Sequence, residues 1–252
     1  MQESHKVSSE KHRLLIQLQE FLVVLYSFIA FFFACVGMFF LVAVLADLLP
    51  LGYLNPVDLS TSNAILYNFL LTLAFAVQHT VMARDGYKKW YKSIFGERCI
   101  RSTYVFASGL VTILILLYWQ PIQGQVWNAD GVFKWLLGTG FTIGIAVVAG
   151  ALFSIDFSSF FGIKQVFVSG EDEHTKLLHI QGLYKYSRHP LMLGVLITLW
   201  CVPAMSVTKL NLSVLMTIYM FIGLYFEEKA LIRHFGDEYI EYKKRVGRII
   251  SI

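Results

Sequence analysis

The chain is built from long apolar segments separated by shorter polar ones. A helix needs about 20 apolar residues to cross a hydrocarbon core of about 30 Å, and most of these segments reach or approach that length. They run from Phe21 to Leu49, Asn63 to Ala83, Ser102 to Trp119, Val132 to Ile155, Leu191 to Val207 and Leu212 to Phe226. The pattern predicts an all-α fold, a polytopic transmembrane helical bundle of about five or six spans that forms one domain over residues 1–252.

The last two apolar segments are short and are joined by few residues, so they form either a tight hairpin or two independent crossings. The loops Pro50 to Ser62 and Gln120 to Gly131 hold Pro, Gly and Asn but no basic residue, which is typical of connectors. Hydrophobic residues make up 56% of the chain and charged residues 15%. A soluble globular domain has more charge, so the lipid bilayer is the expected surrounding of this chain.

Lysine and arginine are distributed unevenly along the chain. Of 21 such residues, only Lys134 and Lys209 lie outside four polar regions: the N-terminus, the loop between spans two and three, the stretch before the hairpin, and the segment after Phe226. Cytoplasmic loops are enriched in basic residues. The distribution predicts a multi-pass protein of a bacterial cell membrane with both termini, including residues 1–20, in the cytoplasm. The net charge of +4 reflects this topology, and no nucleic-acid partner is predicted.

The longest polar stretch after the first span runs from Asp156 to His189 on the predicted cytoplasmic side. It contains many apolar residues, among them Phe160, Phe161 and Phe167. Loops of this length are usually functional or disordered, and this one is too apolar for disorder. We expect residues 156–252 to form one cytoplasmic region folded against the membrane surface.

A C-terminal amphipathic helix is predicted beyond the last span. Glu227, Leu231, His234 and Glu238 fall on one face at helical spacing. An apolar stripe follows at positions 239, 242 and 246, while residues 241 and 243–245 are charged. This helix lies on anionic lipid, serves a functional site, or does both.

Two polar clusters flank the predicted hairpin: residues 182–190 before it and Glu227-Glu228 at its end. Both ends of a two-span hairpin emerge on the same side, so the clusters lie close together. The glutamate pair is either a functional site or a span end paired with nearby cations. Pro190 suits the first turn of a helix, where the N–H groups form an anion site, and Arg188 and His189 can meet a carboxylate there.

A family resemblance rests on this part of the chain. The ordered motifs are Gly182-Leu183-Tyr184, Arg188-His189-Pro190, Gly194, Glu227-Glu228, His234-Phe235-Gly236-Asp237-Glu238-Tyr239 and Tyr242-Lys243-Lys244-Arg245-Val246. This set resembles the C-terminal half of isoprenylcysteine carboxyl methyltransferases and their bacterial NnrU-like relatives. The resemblance implies that S-adenosyl-L-methionine is the cofactor, bound by His179, Gly182, Leu183, Tyr184, Arg188, His189, Pro190, Leu191, Glu227 and Glu228.

The N-terminal half narrows the resemblance. Motifs that include Gln78-His79-Thr80-Val81, Arg101-Ser102-Thr103-Tyr104-Val105 and Trp119-Gln120-Pro121-Ile122 look like those of methanethiol S-methyltransferases. The resemblance implies an enzyme that methylates a small thiol, methanethiol, to dimethyl sulfide.

Two positions depart from the carboxyl methyltransferases. Gly223 stands where those enzymes place an arginine for the substrate carboxylate, so the site suits a small neutral or thiol substrate better. Gly247 replaces a proline after Val246, which we expect only to loosen the tail.

Methyl transfer to sulfur requires a thiolate, and a small alkanethiol is mostly protonated near neutral pH. Topology puts His79, Asp156 and His189 near the inner surface. With His189 engaged by the cofactor, His79 and Asp156 are the candidate catalytic bases, singly or as a pair. Two alternatives stay open: His79 hydrogen-bonds a facing helix in a structural role, or the nearby sulfonium lowers the thiol pKa and no base is needed.

Other functions compete with thiol methylation. One is a methyltransferase for a larger lipid-like or prenylated acceptor, which Gly223 disfavours in its carboxylate form. Another is a non-enzymatic NnrU-like membrane protein, such as a transporter, although the central spans carry no charge at the midplane. No metal is predicted, because the histidines lack a ligand spacing such as HxxxH with a carboxylate.

Overall fold

The structure, a computed structural model, describes residues 2–54, 59–155, 160–164 and 180–250, with side chains from residue 12 onward. Within these residues the helices are α1 (Gln2–Leu45), α2 (Thr61–Met82), α3 (Asp85–Phe95), α4 (Ile100–Tyr118), α5 (Gly131–Phe153), α6 (Pro190–Trp200), α7 (Val207–Phe235) and α8 (Asp237–Arg245). A 3-10 turn covers Gly182–Lys185, and two short strands are β1 (Gln125–Asn128) and β2 (Ala204–Ser206). Five helices, α1, α2, α4, α5 and α7, are long and apolar enough to cross a membrane. The all-α polytopic fold is confirmed.

The two strands show how far the last hairpin extends. β2 lies in the turn of the hairpin and pairs antiparallel with β1, which lies between α4 and α5. We call this end of the bundle the sheet end, and the opposite end, where α6 starts, the site end. Helix α6 has 11 residues and measures about 16 Å, which is shorter than a full span. The turn of the hairpin reaches the sheet end, and the loop predicted as a simple connector from Gln120 to Gly131 instead holds a strand.

Small residues let neighbouring helices approach closely. A Cβ atom built on Gly109 would lie 2.7 Å from the backbone of α1 at Phe33 and Ala34. A Cβ on Gly194 would likewise lie 2.7 Å from the backbone nitrogen of Val148 on α5. Such contacts are typical of helix packing in membranes, where van der Waals contact replaces the hydrophobic effect. The α5–α6 contact fixes α6, and with it the position of the residues that begin α6.

The sheet end is closed by a buried core and a buried cation. Trp119, Leu199 and other core side chains are fully buried there. Lys209, near the start of α7, donates to the carbonyl oxygens of Leu45 (3.1 Å) and Ala204 (3.0 Å) and pairs with Asp47 at 2.7 Å. The lysine ammonium thus satisfies the end of α1, where the carbonyl groups lack helical partners. This contact joins the ends of α1 and α7.

One predicted helix is divided into two. Helix α1 begins at Gln2 and so extends before the predicted first span, which starts at Phe21. Helix α7 continues past Phe226 as predicted but ends at Phe235, because Gly236 has φ +56° and breaks the helix. Glu238 therefore belongs to α8 and does not continue the face of Glu227.

The predicted apolar stripe on the last helix is confirmed. Tyr239, Tyr242 and Val246 are buried, and they pack against residues of α7 and Ile180. The stripe therefore faces the protein, and α8 is part of the site end.

Candidate functional site

The site end is formed where α6 begins beside the C-terminal half of α7. Pro190 occupies the first helical position of α6 and His189 the N-cap, as predicted, because a helix needs no N–H from its first residue. The Arg188 guanidinium lies 2.7 Å from Oε1 of Glu228 on α7. The prediction that the hairpin brings the two polar clusters together is confirmed.

Glu228 is the centre of a buried ion cluster. Its side chain is 3% exposed, and Oε1 accepts hydrogen bonds from Arg188. Its other oxygen, Oε2, lies 2.7 Å from Nη2 of Arg248 and 3.6 Å from Nζ of Lys243. A buried carboxylate is stable only with such complete pairing. Both oxygens of Glu228 are therefore engaged by the chain's own cations.

The C-terminal tail binds directly to the start of α6. The backbone N–H of Arg188 donates to the carbonyl of Gly247 at 3.0 Å, and that of His189 donates to the carbonyl of Arg248 at 3.2 Å. The guanidinium of Arg188 also donates to the carbonyl of Val246. These two N–H groups are thus not open to an anion, and the predicted anion site is wrong for them. A proline at position 247 could accept the same bond through its carbonyl, so the expectation that Gly247 loosens the tail stays a prediction.

His189 is a buried imidazole with unused hydrogen-bonding capacity. Its side chain is 5% exposed, with Nδ1 at 3.7 Å from Glu227 and Nε2 at 3.5 Å from Glu228. Nε2 makes no hydrogen bond in the described part of the chain. Burial lowers the pKa of His189 to about 4, opposed by the carboxylate of Glu228 and reinforced by the nearby guanidinium groups. At neutral pH the imidazole is therefore uncharged and able to bind a polar group.

Glu227 differs from its neighbour Glu228 because its side chain is half exposed, and we call the open space beside it and Gly223 the cleft. It follows Met220 and Leu224 at helical spacing on α7, and both of those residues are buried. The side chain of Glu227 is nevertheless 50% exposed. A Cβ atom built on Gly223, one turn earlier, would meet nothing within 4 Å. An open space therefore runs along α7 from Gly223 to Glu227.

The 3-10 turn carries Tyr184 to the same region. Gly182 at its start has φ +54°, and a Cβ there would lie 2.2 Å from the hydroxyl of Ser154, so only glycine fits. The carbonyl of Tyr184 accepts a hydrogen bond from Tyr242 on α8 at 2.6 Å. Burial and the charge of Glu227 raise the pKa of Tyr184 to about 12. The structure therefore brings Tyr184 within electrostatic range of Glu227.

His79 lies deeper in the bundle, in a pocket of aromatic and hydroxyl side chains. Its Nε2 lies 2.5 Å from the phenol oxygen of Tyr104, and its Nδ1 lies 3.2 Å from Ser108 Oγ. The ring stacks on Phe75 at 5.4 Å, and the ring of Tyr219 approaches its edge at 6.3 Å. His79 is thus bound to a facing helix, as one of the predicted alternatives required.

The pocket around His79 and the glutamates lie along one side of α7. Tyr219 precedes Glu227 by two helical turns, about 12 Å. Asp156 and His179, also predicted for the site, lie outside the described residues. Leu183 and Leu191 flank Tyr184 and Pro190, respectively.

Several residues at the site were not predicted. Tyr104 and Ser108 are one helical turn apart on α4, and Tyr104 is part of a motif in which no residue was singled out. Tyr104 could have been predicted from its position in α4, because His79 and Tyr104 each lie about one helical turn from the site ends of α2 and α4. Arg248 carries no such signal, since its contact with Glu228 depends on the path of the tail.

The chain is similar in sequence to several known proteins. The family model described as NnrU protein matches residues 68–240. Methanethiol S-methyltransferase 2 of Bradyrhizobium diazoefficiens is 39% identical over 194 residues, which cover 74% of this chain and 73% of that protein. Methanethiol S-methyltransferase of Pseudomonas deceptionensis is 36% identical, with coverage of 74% and 72%. Nurim of Rattus norvegicus is 29% identical over 65% of this chain and 66% of its own length. No solved structure matches.

Proposed function

Because the chain belongs to the NnrU family of membrane proteins and resembles methanethiol S-methyltransferases over 74% of its length, we propose that it methylates methanethiol to dimethyl sulfide. The methyl donor in this proposal is S-adenosyl-L-methionine. The observation that carries the proposal is the open space on α7 beside Gly223, with the half-exposed carboxylate of Glu227 one turn after it and Tyr219, which contacts His79, one turn before it. The protein is a multi-pass integral membrane enzyme of the methyltransferase class.

The polar atoms at the mouth of the cleft fit this donor. S-adenosyl-L-methionine has an ammonium, a carboxylate, ribose hydroxyls, a sulfonium and an adenine ring. The half-exposed carboxylate of Glu227 can accept from the ammonium or the hydroxyls. Nε2 of His189, buried and without a hydrogen bond, can bind the donor's polar groups, and Tyr184 offers an aromatic face. When bound, the donor supplies a methyl group on a positively charged sulfur.

The remaining predicted residues support these contacts. Gly182, Leu183, Pro190 and Leu191 shape the wall that carries Tyr184 and His189. Arg188 and Glu228 form an ion pair with each other. This pairing favours a role in positioning His189, which lies 3.5 Å from Glu228, over direct contact with the donor. His179 stays a proposed cofactor residue on the basis of the family resemblance.

The acceptor side of the cleft suits a small thiol. Gly223 leaves an open space on α7 between Tyr219 and Glu227, and it provides no cation for a substrate carboxylate. Phe75, Tyr104 and Tyr219 give the deeper part an aromatic lining around His79. A dry, closely fitting pocket orients the sulfur for in-line attack and excludes water. His79, with Asp156 as the alternative, is the proposed base that finally holds the proton lost by the thiol.

The orientation of the protein in the membrane follows from charge. We infer that the last hairpin crosses the membrane twice, because its turn pairs with the loop between α4 and α5 at the sheet end, and both termini then lie on one side. The basic residues concentrate at the site end, which supports a cytoplasmic location for both termini and the site. The named bacterial methanethiol methyltransferases support a bacterial cell membrane.

The proposal is tested by product formation with purified protein in nanodiscs. We expect dimethyl sulfide in the headspace after addition of methanethiol and S-adenosyl-L-methionine. Measurable binding of the donor without dimethyl sulfide would refute the thiol as acceptor and favour a larger lipid-like acceptor.

The donor site is tested separately by equilibrium binding. Glu227→Gln should weaken S-adenosyl-L-methionine binding by about tenfold or more, because a charge-assisted hydrogen bond contributes about 1.5–3 kcal/mol. Glu241→Gln is the matched control, since the Glu241 carboxylate pairs with Lys244 on the exposed side of α8. Equal affinity in both variants would exclude Glu227 from the donor site.

A further inference from the structure

The phenol of Tyr104 and the imidazole of His79 form a closely coupled pair inside the bundle. His79 lies three residues before the end of α2, and Tyr104 lies four residues after the start of α4. Because these helices are antiparallel neighbours, the two side chains meet at the same depth. The phenol oxygen is 2.5 Å from Nε2, and the ring centroids are 4.9 Å apart.

The hydrogen bonds specify which nitrogen of His79 carries the proton. A neutral phenol donates its only proton, so Nε2 of the imidazole accepts from Tyr104. Nδ1 then carries the hydrogen and donates to Ser108 Oγ, 3.2 Å away. Both nitrogens of His79 are therefore engaged, and neither is open to a thiol. The phenol oxygen of Tyr104 still has lone pairs with which it can accept a proton.

The surroundings of the phenol favour this acceptor role. The guanidinium carbon of Arg101 lies 5.2 Å from the centroid of the Tyr104 ring, where its charge stabilises negative charge that develops on the phenol oxygen. Tyr219, two helical turns before Glu227 on α7, approaches the edge of the His79 ring, so the pair lies beside the helix that carries the proposed donor-binding carboxylate.

We propose that Tyr104 is a catalytic residue, which takes the proton of the thiol while it passes its own proton to Nε2 of His79. This inference rests on the proposed methyl transfer. The S–H bond of the thiol breaks and its electron pair remains on sulfur, which forms a bond to the methyl carbon. The bond from that carbon to the sulfonium breaks, with its pair going to the departing sulfur. The products are a thioether, a neutral sulfide and a protonated His79, which releases its proton to water before the next cycle.

The test compares two thiols of different acidity. Trifluoroethanethiol is more acidic than methanethiol, because its fluorine atoms withdraw electrons, so it depends less on a proton acceptor. Tyr104→Phe should lower kcat for methanethiol by about a hundredfold, the lower end of general-base effects. With trifluoroethanethiol the decrease in kcat should be at least about tenfold smaller, because proton removal contributes less to the barrier for the more acidic thiol. Binding of S-adenosyl-L-methionine should stay within about twofold of the wild type.

A matched control removes a similar phenol outside the pocket. Tyr26 on α1 donates to Thr103, the residue before Tyr104, at 3.0 Å. Tyr26→Phe therefore loses one hydroxyl hydrogen bond to the same helix and should keep wild-type kcat with both thiols. If Tyr104→Phe does not fold, Ser108→Ala serves as the second variant. It removes the acceptor that fixes the imidazole tautomer, so it should lower kcat for methanethiol more than for the acidic thiol.

The outcomes separate this inference from the proposed function. Wild-type turnover of methanethiol with full activity in Tyr104→Phe would overturn the role of Tyr104 alone. An equal loss of kcat with both thiols would also overturn it, since a purely structural role does not depend on thiol acidity. A wild-type protein that methylates neither thiol would overturn the proposed function and this inference together.

Discussion

Replacing Glu228 by glutamine tests whether the ion cluster holds the site end together. The substitution keeps the shape of the side chain but removes the charge that Arg188 and Arg248 face at 2.7 Å. The side chain of Arg188 is only 7% exposed, so its guanidinium would become an uncompensated buried charge. Breaking a buried pair in this way costs about 3–5 kcal/mol.

This cost should be visible as a loss of thermal stability. For a chain of this size, 1 kcal/mol corresponds to about 2–4 °C in Tm, so Glu228→Gln should lower Tm by about 6–20 °C. The assay is thermal unfolding of the purified protein in detergent or nanodiscs, followed by intrinsic fluorescence. Loss of S-adenosyl-L-methionine binding should accompany it, because the carboxylate of Glu228 also lies 3.5 Å from His189.

The control for this experiment is an exposed ion pair on the same end of the protein. Glu241 pairs with Lys244 at 2.6 Å, and both side chains are more than half exposed. An exposed pair of this kind contributes about 0.2–1 kcal/mol, so Glu241→Gln should change Tm by a few degrees at most. If Glu228→Gln were as stable as Glu241→Gln, the cluster would not stabilise the site end and the reasoning would be refuted.

Three further predictions concern other parts of the molecule. The pKa of His189, about 4 in the folded protein, lies below its ordinary value of about 6.5, so the unfolded chain binds an extra proton as the pH falls through this window. The free energy of unfolding should therefore fall by up to about 3 kcal/mol between pH 6.5 and pH 4. In His189→Gln, unfolding measured at the two pH values should show a decrease that is smaller by this amount. Gly109→Ala should lower the free energy of unfolding by about 1–3 kcal/mol, because its Cβ would lie 2.7 Å from the backbone of α1. Gly138→Ala is the control: its Cβ meets open space, so the variant should be neutral or stabilising in the same thermal unfolding experiment. Gly223→Ala should stabilise α7 by about 0.5–1 kcal/mol and yet raise KM for methanethiol, and an unchanged KM would remove Gly223 from the acceptor pocket.

Much of the fold could be predicted because the bilayer restricts what a chain can do. Backbone groups in lipid must be paired within helices or barrels, so long apolar segments specify helices almost regardless of their neighbours. The hairpin of α6 and α7 brings Arg188 and Glu228 together, because the two ends of an antiparallel helical hairpin lie on the same side. The burial of Tyr239 and Tyr242 also followed from periodicity, which needs only local sequence.

Predictions failed where a contact depends on residues far apart in the chain. The pairing of β1 with β2 joins segments about 80 residues apart, and neither strand is long enough to show an alternating pattern. Arg248 meets Glu228 only because the tail turns back along the start of α6, and that same turn uses the N–H groups expected to bind an anion. The tautomer of His79 likewise depends on Tyr104 and Ser108 of another helix.

The sequence alone therefore established a helical membrane bundle, its charge asymmetry, the hairpin and the residue types at the site, because these depend on local hydrophobicity and on the geometry of spans. The tertiary structure distinguished the two adjacent glutamates: Glu228 is enclosed by cations, and Glu227 borders an open cleft. Two residues with the same chemistry and adjacent positions cannot be told apart by pattern. They differ because successive residues on a helix are turned by about 100°, so one faces the start of α6 and the tail while the other faces the space beside Gly223.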